Sequence, residues 1–102
     1  QAMIIITGGA RFNPVNRDAA LKIGTEHSAR SRGEPGCVAH SCTIDAEDPN
    51  HIIFIELWDD MAAVQRHFAA PESGRFVAEL SALALARPEI RIFDAAELPA
   101  PF

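Results

Sequence analysis

The sequence predicts a single small α+β domain, an antiparallel sheet with helices between its strands, and three observations carry that prediction. Its 102 residues fit one domain and leave no room for two. Four strand-like runs are separated by helical stretches in the order βαββαβ, with the second helix broken in two. Residues on both faces of the strands are apolar, so helices can cover one face of the sheet and a second subunit is the natural cover for the other.

The first strand is Met3-Ile4-Ile5-Ile6-Thr7, β-branched and apolar on both faces, hence central rather than at an edge. Gly8 and Gly9 suggest a bulge or a close backbone approach near its end, and Asn13-Pro14 a turn. Asn16 to Arg32 reads as helix, capped by Asn16 or Asp18, whose side chains can accept from free first-turn amides. Ala20, Ile23 and His27 form one stripe, with Leu21, Gly24 and Ser28 beside it. Gly24 costs about 1 kcal/mol relative to Ala, and Arg30 and Arg32 suit the negative end of the helix dipole. Gly33-Glu34-Pro35-Gly36 stops the helix.

Cys37 to Ile44 alternates, with Val38, His40, Cys42 and Ile44 on one face and Cys37, Ala39, Ser41 and Thr43 on the other. Asp45 to His51 is a polar loop holding Asp48-Pro49-Asn50. Ile52 to Trp58 is the next strand, and the two read as a hairpin with a long loop. Phe54, Glu56 and Trp58 face one way; Ile53, Ile55 and Leu57 face the other. Asp59-Asp60 caps a helix from about Met61 to Ala69, with Asp59 accepting first-turn amides. Met61, Val64, Gln65 and Phe68 mark its buried side. Pro71 breaks the helix and Ser73 restarts it, with Phe76, Val77, Leu80, Leu83 and Ala84 as its apolar stripe. Pro88 ends it. Glu89 to Ala95 is the last strand, Ile90 and Ile92 on one face and Arg91 and Phe93 on the other. One ferredoxin-like domain thus spans 3–95, and a proline-rich tail over 96–102 lies on a surface. Right-handed crossovers through the helices fit that arrangement.

Hydrophobic residues make up 48 % and charged residues 23 %, which argues against disorder. The formal net charge of -5, with nine Lys and Arg scattered along the chain, argues against nucleic-acid binding. No apolar run approaches the ~20 residues of a membrane span. Gln1-Ala2-Met3 lacks the features of a signal peptide, and Gln1 and Ala2 read as a cloning remnant; the expectation is a cytoplasmic protein. Cys37 and Cys42 stand on one extended segment, pointing to opposite faces roughly 16 Å apart, too far for a disulfide. They also lack metal-pair spacing, and read as two small apolar residues.

No phosphate loop, zinc-ligand spacing or nucleophile elbow is present. The polar residues among apolar neighbours are Glu56-x-Trp58, Asp59-Asp60 and His67. His67 lies three residues after Val64, beside the buried stripe. It suits a general base or a ligand contact, and equally a boundary histidine that packs. Trp58 can stack on a flat ligand or fill the core or a dimer contact. Glu56 needs a partner if buried, and Arg11 and Arg91 are the candidates. His40 can line a cavity or be a satisfied core histidine. His27 is a weaker candidate, and His51 reads as solvated.

Glu34-Pro35-Gly36-Cys37 ahead of a strand, the Asp48-Pro49 loop, Phe54-Ile55-Glu56-Leu57-Trp58-Asp59-Asp60, and His67-Phe68 together resemble the antibiotic biosynthesis monooxygenase domain, over nearly all of Met3 to Ala95. The resemblance implies a dimeric α+β barrel, two ferredoxin-like units meeting sheet to sheet, each with a pocket between sheet and helices. Members of that family include cofactor-free oxygenases of aromatic polyketides, quinol monooxygenases and haem-degrading relatives. By position, Trp58, His67 and Glu56 match its aromatic, histidine and strand carboxylate. The chain departs in having His40 where a Tyr is frequent, no Asn in Met3–Ala10, and no His in Ser73–Ala86 to serve haem.

The resemblance therefore implies a homodimeric, cofactor-independent monooxygenase acting with O2 on a small phenol, hydroquinone or polyketide-like aromatic, with no metal. His67 is the expected base, Trp58, His40, Phe54 and Phe68 the substrate contacts, and Glu56 a structural ion pair. The rival reading is a non-catalytic dimeric module that binds a small ligand, and an isomerase or lyase step on the same scaffold is a third. An enzymatic reading expects His67 and Trp58 to share one enclosed pocket.

Overall fold

The computed structural model describes residues 3–102, so the reading of Gln1 and Ala2 lies outside the described residues. The elements run β1 (Met3–Arg11), α1 (Pro14–Ser31), β2 (Cys37–Asp45), β3 (Asp48–Trp58), α2 (Met61–Ala69), α3 (Pro71–Leu83) and β4 (Glu89–Ala95). The strands form one sheet in the order β2-β3-β1-β4, every neighbouring pair antiparallel. This is the expected ferredoxin-like α+β fold, with β1 inside the sheet as its two apolar faces require.

Alternation sorts the sheet into two faces. Ile4, Ile6, Ala10 and Phe12 from the β1 segment, Ile52, Phe54, Glu56 and Trp58 from β3, and His40 from β2 are buried beneath the helices. Fully burying residues such as Trp58 or Phe12 is worth roughly 1.5–3 kcal/mol each. On the opposite face, register places Ile5 between Leu57 and Phe93, and Thr7 between Ile55 and Arg91. Ile55 and Phe93 there are each 39 % exposed. No helix among the described residues is long and apolar enough to cross a membrane.

Several local expectations are corrected. β1 continues through Gly8 and Gly9 to Arg11, and the glycines serve close approach: a Cβ on Gly8 would stand 3.0 Å from the Glu89 carbonyl oxygen, and one on Gly9 would run into that of Ile52. α1 starts at Pro14, and its cap is Asn13, whose side chain accepts from Val15 N at 3.2 Å. Proline needs no hydrogen-bond acceptor at the first helical position. Asp45 pairs with Asp48, so the expected long loop is a tight turn and Pro49 lies in β3. The cap of α2 is Asp60, not Asp59; it accepts from Ala63 N at 2.9 Å. α3 starts at Pro71 itself. The buried side of α2 is Ala63, Val64 and His67, while Met61 and Phe68 are about two-fifths exposed.

A register shift between Cys37 and Ala39 inserts Val38 as an extra residue. Val38 is exposed, and Cys37 packs against the cluster of Ile4, Ile6, Trp58, Ala63 and Val64. Cys42 packs on the other helix-side cluster, so the cysteines do not point to opposite faces as regular alternation predicts. Both are free. The tail from Ala96 carries no regular structure and is exposed.

Candidate functional site

Small residues bring two helices down onto the sheet. Apart from His27, the buried face of α1 is Ala20, Gly24, Ser28 and Ser31. A Cβ on Gly24 would stand 2.7 Å from Cys42 Sγ and 3.0 Å from Phe54 Cζ. That closeness lets His27 and Ser28 reach β2 and β3. Near α2, Gly36 adopts φ 83°, a conformation L side chains avoid, and a Cβ there would lie 2.5 Å from Ala63 Cβ. The Gly36 carbonyl accepts from Asp59 N at 2.9 Å. The start of β2 is thereby fixed to the β3–α2 junction, and α2 carries His67 over Trp58, ring centroids 4.7 Å apart.

Three buried histidines from three elements meet here: His27 of α1, His40 of β2 and His67 of α2. Their ring centroids are 5.1–5.6 Å apart. Glu56 stands among them. Its Oε1 accepts from Trp58 Nε1 at 3.0 Å, and lies 3.4 Å from His40 Nε2 and 4.0 Å from His67 Nε2. The far side of each ring is held too. His67 Nδ1 sits 2.6 Å from Glu34 Oε1, and His40 Nδ1 sits 2.8 Å from Ser28 Oγ. Arg30 donates to His27 Nδ1. Arginine has no acceptor, so the ring proton of neutral His27 is on Nε2. His27 also stacks on Phe76 at 3.9 Å and 4°.

Burial first, then the charges of His40, His67 and Arg30, push the His27 pKa down to about 3. For Glu56 the largest influence is burial, which pushes the carboxyl up. The close contact and charge of His40, the Trp58 N–H and the charge of His67 outweigh it, and the group ends below its ordinary value. Glu56 is therefore an anion at neutral pH, set among apolar walls.

Those walls line a half-open cavity of about 300 Å³ between the sheet and the helices. Ile6, Phe54, Glu56 and Ile90 contribute from the sheet, and His27, Phe68, Phe76 and Val77 from the helices. Gly8, Arg87 and Glu89 also border it. The segment after α3 is tied back to β1 by the Leu85 N to Arg11 O bond at 2.9 Å.

The residues expected at the site divide into two layers. Phe54, Phe68 and Glu56 line the cavity. Trp58, His40 and His67 lie behind the wall, each at most 2 % exposed. Trp58 and His67 are in contact but do not themselves enclose a pocket; Glu56 and His27 stand between them and the cavity. The arginine expected beside Glu56 is absent: Arg11 pairs with Asp48 at 3.3 Å, and Arg91 lies over the Phe93 ring on the other face. His51, expected to be solvated, is half-buried against Asp45 at 3.3 Å. Sequence reasoning ranked His27 low and passed over Glu34, Ser28 and Arg30. The run of small residues around His27 was the available signal, because a narrow helix face approaches a sheet closely. Nothing in the local sequence marks Glu34 as the partner of a residue 33 positions away.

The family model described as antibiotic biosynthesis monooxygenase matches residues 3–79. An uncharacterized protein of Synechocystis sp. is 34 % identical over 95 residues, covering 92 % of this chain and 64 % of that protein. The chain thus spans a little under two thirds of the length of this curated relative. A crystal structure described as an antibiotic biosynthesis monooxygenase superposes with TM-score 0.83 at 29 % identity, over 92 % of this chain and 99 % of that one. A candidate antibiotic biosynthesis monooxygenase from Deinococcus radiodurans has TM-score 0.91 at 21 % identity, over 97 % and 98 % of the two chains, a likeness of fold alone.

Proposed function

The chain belongs to the antibiotic biosynthesis monooxygenase family, and we propose that it binds a small phenol, hydroquinone or related enolisable aromatic in the cavity and oxidises it with O2 without a resident cofactor. The observation that carries this reading is an ionised carboxylate backed by a histidine–carboxylate pair at the wall of an apolar cavity. Glu56 is the group a substrate hydroxyl meets. His67, 4.0 Å behind it and oriented by Glu34, draws the proton inward as the base of the pair. Trp58 acts by holding Glu56 rather than by stacking on the ring, and His40 supports it from β2. His27, a neutral N–H donor at the wall, faces the oxyanion that forms. Phe54, Phe68 and Phe76 flank the ring and keep water out.

Once deprotonated, such a substrate can itself give electrons to oxygen. For a ring CH2 flanked by carbonyl or aryl groups, one oxygen atom enters as the new carbonyl and the other leaves as water with the two displaced hydrogens. All four electrons come from the substrate, so no external reductant is required. We further propose that the chain works as a homodimer, with the apolar face carrying Ile5, Ile55, Leu57 and Phe93 meeting a second copy.

The test is oxygen uptake by chelator-treated protein across hydroquinones, naphthols and anthrones. Uptake above autoxidation, reduced roughly 10²–10⁴-fold in Glu56→Gln and His67→Ala, is the expected result. Full activity in both variants would remove these residues from the mechanism. The seclusion of Trp58 and His67 behind the wall favours one alternative, a module that binds an aromatic without converting it. That alternative predicts a ligand-raised melting temperature with no uptake.

A further inference from the structure

Proton transfer through Glu56 and His67 leaves one feature without a use. His40 has a fully buried side chain, and its Nε2 has no hydrogen-bond partner. An unpartnered buried nitrogen of this kind carries a desolvation cost that no hydrogen bond offsets. It lies 3.4 Å from Glu56 Oε1, and one ring nitrogen from each of His27, His40 and His67 lies within 4.8 Å of the others.

We infer that His40 Nε2, His67 Nε2 and Glu56 Oε1 form a binding site for one divalent first-row transition-metal ion. Two imidazoles and a carboxylate with positions left open suit such ions. Ligand atoms about 2.0–2.2 Å from a metal stand roughly 3–3.5 Å from each other. The His40–Glu56 spacing of 3.4 Å meets this already, and the His67–Glu56 spacing of 4.0 Å closes with a shift of about half an ångström.

The surroundings are those a ligating histidine requires. His67 Nδ1–H can donate to Glu34 and His40 Nδ1–H to Ser28 Oγ, which leaves both Nε2 lone pairs free for a metal. Glu56 keeps a lone pair on Oε1 beyond the one that accepts from Trp58. His27 is excluded as a neutral ligand, because Arg30 occupies its Nδ1 and the proton sits on Nε2. It remains beside the site as a donor. Glu56 and His27 line the cavity, so the open coordination positions face a space that admits a small molecule.

This inference does not rest on the oxygenase reading. A bound ion takes the lone pairs of His67 and Glu56 that would otherwise accept a proton, so occupancy and metal-free base chemistry exclude each other. Binding is therefore measured without substrate.

Chelator-stripped protein is titrated with Co2+, followed by its visible d–d absorption, and Zn2+ is then used to displace it. The expected result is one Co2+ per chain, displaced by Zn2+, with affinity lowered at least tenfold in His40→Gln and roughly 10–100-fold in Glu34→Gln. Circular dichroism checks that each variant is folded. A rise in the wild-type melting temperature with Zn2+ gives a measurement that needs no variant. The inference is overturned by the absence of saturable Co2+ binding, or by binding that His40→Gln leaves intact and His51→Ala removes, which would place the ion at the His51–Asp45 surface pair. In either of those outcomes the oxygen-uptake result stands on its own.

Discussion

Replacing Gly36 by Ala tests whether backbone geometry far from the cavity sets the chemistry within it. The residue sits at φ 83°, where an L side chain costs roughly 1–2 kcal/mol. Its new Cβ would lie 2.5 Å from the Cβ of Ala63, a buried residue of α2. Relief requires α2 to retreat by about 1 Å, and overpacking of this sort costs roughly 1–3 kcal/mol. The sum, about 2–5 kcal/mol, lowers the melting temperature of a domain this size by roughly 10 °C or more. The same retreat carries His67 away from Glu34, now 2.6 Å distant, and breaks that hydrogen bond. Gly74→Ala is the control, because a Cβ added there would meet nothing within 4 Å and the residue stands inside α3. It should stabilise by about 0.5–1 kcal/mol. Thermal unfolding followed by far-UV circular dichroism reads both. A Gly36→Ala protein melting within about 4 °C of the parent, equivalent to about 1 kcal/mol or less, would refute the reasoning.

Three further outcomes follow from the same geometry. The His27 pKa is lowered to about 3 in the folded state, so the unfolded chain binds a proton first, and stability present above pH ~6.5 is lost as pH falls from there towards 3. Between pH 6.5 and 4.5 this loss is about 2–3 kcal/mol for metal-free protein, read by urea unfolding. His27→Gln should flatten that slope, and equal slopes would contradict the assignment. Burial raises the Cys42 thiol to about 11, so alkylation at pH 8 should be far slower than for a free thiol and should accelerate with rising pH. Rapid labelling of native protein at Cys42, located by peptide mass spectrometry, would show that the α1–β2 contact is loose. Light scattering at micromolar concentration should give twice the chain mass, and Ile55→Asp should shift it to the monomer; a monodisperse monomer of the parent would disprove the dimer.

The fold was legible because its signals are local and repeated. β-branched runs marked the strands, Gly33 to Gly36 marked the end of α1, and apolar residues on both faces of β1 placed it inside the sheet. Boundaries were harder because neighbouring residues compete for one task. Asn13 and Asn16 are equally good caps by type, and Pro14 decides between them by taking the first helical position. Asp60 prevails over Asp59 for the analogous reason that the backbone remains extended there until Met61. The bulge at Val38 had no local signature, and one inserted residue was enough to move Cys37 to the helix side.

The site was less legible because the usual rule for burial reverses beside a cavity. Periodicity places the largest apolar residues of a helix in the core, and for α2 that rule selects Met61 and Phe68. In the folded chain Phe68 is 39 % exposed, Val77 46 % and Ile90 53 %, and all three line the cavity. Their exposure measures space held open on the helix side of the sheet. The residues beneath that space are polar: His27, His40, Glu56 and His67, each at most 7 % exposed. Large side chains facing a void, with ionisable groups at its floor and behind it, invert the ordinary core. Such an arrangement is stable only because small residues, Gly24 and Gly36 foremost, let the helices close over the polar layer and supply its hydrogen bonds from Ser28 and Glu34. The glycine counted as a helix-weakening cost at position 24 is thus one of the residues on which the site depends.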